Sequence, residues 1–151
     1  MKCLSLLFLA LSLILSASTF AKQLEGSYVY DGSSERIFIT FPRPGVANFV
    51  RYPGSYTNDG VVYKDKPSES GFVPYVMKGN NSAQALICSY YSPKNECWVT
   101  NISINGNTLK WDRIPLKRTD KTFRNDKDSK FKNMSFEQLA EHYGSKMALI
   151  K

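Results

Sequence analysis

Residues 97–113 read CWVTNISINGNTLKWDR. Asn105-Gly106 in the middle is the strongest short turn signal in the chain, because both residue types tolerate positive φ and suit a two-residue type I′ hairpin. Centring the turn there pairs Ile104 with Asn107, Ile102 with Leu109, Thr100 with Trp111 and Trp98 with Arg113. Those side chains share one face, largely apolar. The other face carries Asn101, Ser103, Lys110 and Asp112. A ribbon apolar on one side and polar on the other belongs in the wall of a barrel or sandwich.

The stretch just before it, CSYYSPKNECW at 88–98, tests that reading. If Cys88 and Cys97 are a directly opposed pair, Ile87 falls opposite Trp98, on the same inner face. The turn and the cysteine pair therefore agree. Ile87, Trp98, Ile102, Leu109 and Trp111 are expected to line the core. The Cys88–Cys97 bridge is expected on the outer face, beside Leu86, Tyr90 and Val99, where an apolar patch calls for a cover or a partner.

Whether the two cysteines are joined depends on compartment. Lys2 followed by the apolar run Leu4–Leu15 and the small-residue ending Thr19-Phe20-Ala21 has the form of a secretory leader over 1–21. Cys3 would leave with it, so the remaining 130 residues keep two cysteines in an oxidising compartment, where a disulfide is the expected state. A metal site of Cys/His type would want four ligands, and His142 is the only histidine. A redox pair would be spaced by two residues, not eight.

Outward from the hairpin, short strand-like runs recur at Gly26–Tyr30, Glu35–Phe41, Val46–Tyr52, Val61–Lys64, Phe72–Lys78, Ala83–Tyr91, Glu96–Ile104 and Thr108–Arg113, punctuated by Gly, Pro, Asn and Asp. The spacing predicts an all-β fold, a small antiparallel barrel of about eight strands with a sandwich as the alternative. Ser135 to Gln138 forms a capping-box pattern ahead of a helical stripe of Phe136, Leu139, Ala140, Tyr143, Met147 and Ile150. This C-terminal helix is expected to pack outside the barrel over the disulfide patch, with Gly144 weakening its middle. The expected organisation is a leader over 1–21, a barrel over 22–118, a basic linker over 119–133 and the helix over 134–151. The opening Leu24-Glu25-Gly26-Ser27-Tyr28 resembles the glycine-x-tryptophan start of the lipocalin-like group, with Tyr28 in the tryptophan's place. That resemblance implies an eight-stranded barrel, and no functional residue is taken from it.

Catalytic signatures are missing: there is no Gly-x-Ser-x-Gly, no phosphate-cradling glycine loop and no His-Glu-x-x-His. His142 lies beside the helical stripe as a surface residue. The carboxylate pairs Asp31/Glu35 and Asp65/Glu69 lie in turn-like segments where acids are ordinarily solvated. No catalytic residue, metal ligand or cofactor is assigned, and the expected role is binding.

Three surfaces are candidates. The tip carrying Tyr90, Tyr91 and Lys94 is an aromatic hairpin held by the disulfide, suited to contacting another exported or envelope protein as an inhibitor or neutraliser would, because rigidity lowers the entropy lost on binding. The chain's net charge of +7 is concentrated late: residues 22–109 carry 8 basic and 7 acidic groups, residues 110–132 carry 9 and 4. Lys117, Arg118, Lys121, Arg124, Lys127 and Lys130 are thus candidates for an anionic surface. Phe123 and Phe131 alone do not make the stacking groove that specific nucleic-acid binding wants. Third, Trp98, Trp111 and Arg113 would face an amphipathic small molecule inside the barrel, although such side chains also simply fill an eight-stranded interior. Asn80, Asn101 and Asn133 each begin an Asn-x-Ser sequon, meaningful only in a host that glycosylates secreted proteins.

Overall fold

In the computed structural model, which describes residues 23–57, 60–63, 69–88, 96–121 and 130–151, the central ribbon is paired on both sides. The strands are β1 (Ser27–Asp31), β2 (Glu35–Arg43), β3 (Val46–Thr57), β4 (Gly60–Tyr63), β5 (Glu69–Gly79), β6 (Ser82–Cys88), β7 (Cys97–Asn105), β8 (Thr108–Trp111) and β9 (Ile114–Thr119). One α-helix follows, α1 (Phe136–Tyr143), continued by a 3-10 turn over Gly144–Leu149. Neighbours run β2-β1-β9-β8-β7-β6-β5-β3, and β3 returns to β2, so eight antiparallel strands close a barrel. Closure gives every strand of the ring a partner on both sides over at least part of its length. β4 pairs only with the far half of β3, from Gly54 to Thr57, and stands outside the ring.

The cysteine pairing fits: Cys88 lies opposite Cys97 and Ile87 opposite Trp98, with the two sulfurs bonded. The turn register does not. Ile102 faces Trp111 and Ile104 faces Leu109, with Asn105 opposite Thr108. The turn is therefore Gly106-Asn107, with Gly106 at φ 58° and Asn107 not in the positive region, the pattern of a type II′ turn with glycine first. This shifts the pairing by two residues from the expected one. A shift of two preserves which face each side chain occupies, where a shift of one would have inverted them.

β9 is the strand that the sequence did not separate from the basic tract, because Pro115 interrupts it. Its position explains the tolerance. The Arg118 N–H donates to the Asn107 carbonyl at 2.7 Å, so hydrogen-bonded pairs alternate at 107/118, 109/116 and 111/114. Pro115 falls between them, opposite Lys110, with its ring nitrogen turned away from β8. On that other side the ladder to β1 covers only Lys117 to Thr119, so no bond is lost.

Inward-facing residues fill the barrel. Tyr28, Ile37, Ile39, Ala47, Val73, Tyr75, Ala83, Ala85, Ile102, Leu109, Trp111 and Leu116 form one buried cluster. Trp111 stacks on Phe49 with ring centres 6.1 Å apart, and Phe41 meets Tyr28 and Tyr75 edge-on. The N-terminal segment seals one end. Leu24 is buried, its N–H donates to the Tyr75 hydroxyl at 3.2 Å, and that hydroxyl donates to Gln23 Oε1 at 3.1 Å.

Burial pushes the Tyr75 hydroxyl pKa up, against smaller lowering contributions from the backbone at Gly45 and Leu24, and does the same at Tyr28. A raised folded-state value means that the associated stability is complete below the ordinary tyrosine value of 10.0 and is lost as pH climbs through the folded one. Tyr75→Phe removes the acceptor for the buried Leu24 N–H and is expected to cost about 1–2 kcal/mol at neutral pH. It should also make the alkaline decline shallower, as denaturant midpoints followed from neutral to strongly alkaline pH would reveal.

The helix lies outside, as its stripe requires. Leu139 packs with Val46, Phe72 and Phe131; Met147 and Ile150 pack with Leu86 over Cys88, Cys97 and Val99. Both halves of the capping box form: Gln138 N–H donates to Ser135 Oγ and Ser135 N–H to Gln138 Oε1. Gly144, at φ 55°, ends α1, yet the chain beyond stays docked as the 3-10 turn, with Met147 and Ile150 fully buried. Phe131, expected in the basic linker, is buried here and stacks on Tyr143. Arg43 fastens the approach to α1: its Nε donates to the Met134 carbonyl at 2.6 Å and its Nη2 to the Phe131 carbonyl at 3.2 Å. Gly45, at φ 72°, is needed twice, since a Cβ there would also sit 2.8 Å from the Phe136 ring.

Candidate functional site

The two-residue shift at Gly106-Asn107 decides what one rim of the barrel looks like. β8 spans only four residues, and its ladder with β7 closes at Asn101: the Asp112 N–H donates to the Asn101 carbonyl at 2.7 Å, and the Asn101 N–H to Asp112 Oδ1 at 2.8 Å. The start of β7, from Cys97 to Thr100, therefore overhangs β8. Trp98 points to the inner side of the wall but has a strand neighbour only toward Ile87 on β6. It is 48% exposed, one of two large exposed hydrophobics among the described residues. The expectation that Trp98 lies in the core is thus corrected, because core placement needs neighbours on both sides.

The bond between Cys88 and Cys97 holds the root of this overhang, and Met147 and Ile150 pack against that bridge from outside. Trp98 is consequently an exposed indole on a fixed base. The tip residues Tyr90, Tyr91 and Lys94, which continue from this root, lie outside the described residues.

Trp98, Trp111 and Arg113 do not form one site. Trp111 is buried in the barrel against Phe49. Arg113, expected on the inner face opposite Trp98, sits exposed in the two-residue turn Asp112-Arg113 that joins β8 to β9. Asp112 supplies the left-handed position of that turn at φ 53°, a conformation that a short Asp side chain tolerates by bonding locally, here to Asn101.

The basic residues also divide. Lys117 and Arg118 are on β9 in the barrel wall, exposed, and Lys121 follows the strand. Lys130 is remote from them in sequence, placing its ammonium 4.8 Å from the Phe131 ring centre. Arg124 and Lys127 lie outside the described residues. Lys110, on the outer face of β8, is exposed beside them. Outward on the neighbouring strands are Gln84, Asn101 and Ser103, with Gln84 Nε2 donating to Asn101 Oδ1 at 3.1 Å. Sequence reasoning placed Asn101 and Ser103 on the outer face, and read them as a sequon, but gave them no part in a binding surface. The missing signal was β9, which turns the early part of the basic tract into sheet.

His142 is exposed and packs its ring 4.9 Å from that of Phe131, an arrangement of boundary packing. Among the described residues no three His, Cys, Asp or Glu side chains converge as a metal-binding group, and no helix is long and apolar enough to cross a membrane. No protein-family model, curated protein or solved structure matches the chain.

Proposed function

We propose that this chain is an exported, non-catalytic binding protein that contacts another protein through the rim bearing Trp98, at the root of the disulfide-closed hairpin. The observation that carries this reading is the 48% exposure of Trp98 on a strand end anchored by the Cys88–Cys97 bond. Exposing an indole to water costs free energy that burial in the barrel would recover, so the fold gains nothing from leaving it out. At interfaces tryptophan is enriched among the residues that contribute most, and a fixed base reduces the ordering entropy lost when a partner docks. The leader read over 1–21 and a disulfide of the kind kept closed in oxidising compartments are both compatible with export. The reading of the barrel as a carrier has less behind it, since Trp111 and its aromatic neighbours already occupy the interior.

The test is a pull-down from the native envelope or medium, with immobilised wild-type protein beside Trp98→Ala. A stoichiometric protein partner should be retained by the wild type and bound at least roughly 30-fold more weakly by the variant, in keeping with a tryptophan hot spot. Equal retention by both, with the variant's thermal midpoint unchanged, would remove the rim from consideration.

A further inference from the structure

We propose that the outward face of β7, β8 and β9, a site separate from the Trp98 rim, docks onto the phosphate-bearing headgroups of an anionic membrane surface. Lys110 lies opposite Pro115 and Lys117 opposite Thr108, so the two lysines are diagonal neighbours on the same outer face, roughly 7–8 Å apart at that position. Across β7 the row continues through Ser103, opposite Lys110. Arg113 and Lys121 flank the pair, both exposed, whereas Arg118 has the inward parity of Leu116 and lies beside Gly26 and Tyr28. None of these four cations, Lys110, Arg113, Lys117 and Lys121, takes part in an ion pair among the described residues; the pairs Arg36–Asp31 and Arg51–Glu35 are on β1, β2 and β3.

Carboxylates are scarce on this face. Between residues 110 and 121 they are Asp112 and Asp120 only, and Asp112 Oδ1 is already accepting the Asn101 N–H. Placing like charges on diagonal sheet positions without an acid between them weakens the fold slightly, so folding does not account for the arrangement. A polyanion does. The rest of the face is Asn101, Ser103, Thr108 and Pro115, hydrogen-bonding or neutral groups on a sheet wall that the helix leaves uncovered, since α1 and its 3-10 extension pack over Val46, Phe72, Leu86 and Val99. The patch bears no outward aromatic on which a nucleic-acid base would stack. A broad wall with several cations and no groove matches a planar array of phosphates, where each lysine near an anionic leaflet contributes on the order of a fivefold gain in partitioning.

Co-sedimentation of the full chain with vesicles tests this directly. Vesicles of phosphatidylglycerol and phosphatidylcholine in equal parts should bind the wild type, and phosphatidylcholine alone should not. Binding to the first should collapse as added salt shortens the screening length. Lys110→Ala with Lys117→Ala should bind roughly 30-fold more weakly, while Lys110→Arg with Lys117→Arg should retain binding and Trp98→Ala should leave it unchanged. Equal binding to both vesicle types, or full binding by the double alanine variant, would overturn the proposal. So would retention on duplex DNA without any vesicle binding.

Discussion

A chain cut after Lys132 will lose most of its stability, bind a hydrophobic dye strongly and tend to aggregate, even though all nine strands remain. The segment removed carries Leu139, Met147 and Ile150, each with no exposed surface in the intact protein. Burying a side chain of that size contributes about 1.5–3 kcal/mol. The cut also uncovers Val46, Phe72 and Leu86 on the outer wall, all buried beneath the helix. Freed chain entropy offsets part of the loss, but the remainder is large against the ~5–15 kcal/mol that holds a domain together. The barrel closes without the helix, so strand content read by far-ultraviolet circular dichroism should fall less than the denaturant midpoint. Leu139→Ala grades the effect: a cavity between α1 and the wall should cost about 2–4 kcal/mol. Unchanged midpoints and no dye binding in both variants would mean that the helix contributes little to the barrel.

What could be read from the sequence divides along physical lines. Face parity was legible at β6, β7 and β8 because a period of two needs only local alternation, and the shift from Asn105-Gly106 to Gly106-Asn107 kept it intact. The helical stripe from Phe136 to Ile150 and its Ser135–Gln138 cap were legible for the same local reason. The exposure of Trp98 was not, because burial of an inward residue depends on how far the next strand extends, and β8 stops short of it. β9 was hidden by Pro115, whose harmlessness follows from hydrogen-bond phase and from the length of the β1 ladder, neither of which is written in composition. The closure of the barrel end by Gln23 and Leu24 was equally illegible, since two residues ahead of the first strand carry no period. The basic wall emerged only when Lys110 and Lys117 were found on adjacent strands, which makes neighbours of residues that a linear tract had merely counted together.

Replacing both cysteines, Cys88→Ala with Cys97→Ala, is expected to lower stability by about 2–3 kcal/mol in the chain-entropy account of a short closed loop. For a domain of this size that corresponds to roughly a 6–15 °C fall in thermal midpoint. The position of the bridge adds a local consequence. It is half-buried beneath Met147 and Ile150, beside Val99 and Leu86, so trimming both sulfurs also loosens the seat of the 3-10 turn. Hydrogen exchange should therefore quicken first at the Cys88 and Cys97 ends of β6 and β7 and over residues 144–150, before the Gly106 turn responds. Trp98 reports the same event, since its indole stands one residue beyond the bridge: its fluorescence anisotropy should fall as the strand end gains freedom. If the rim is the docking surface, affinity for the protein partner should drop with it, because a mobile anchor loses more entropy on binding, while vesicle binding by the β7–β9 wall should be little affected. A double variant that keeps the wild-type midpoint, exchange pattern and Trp98 anisotropy would show that the bridge is not what holds the rim in place.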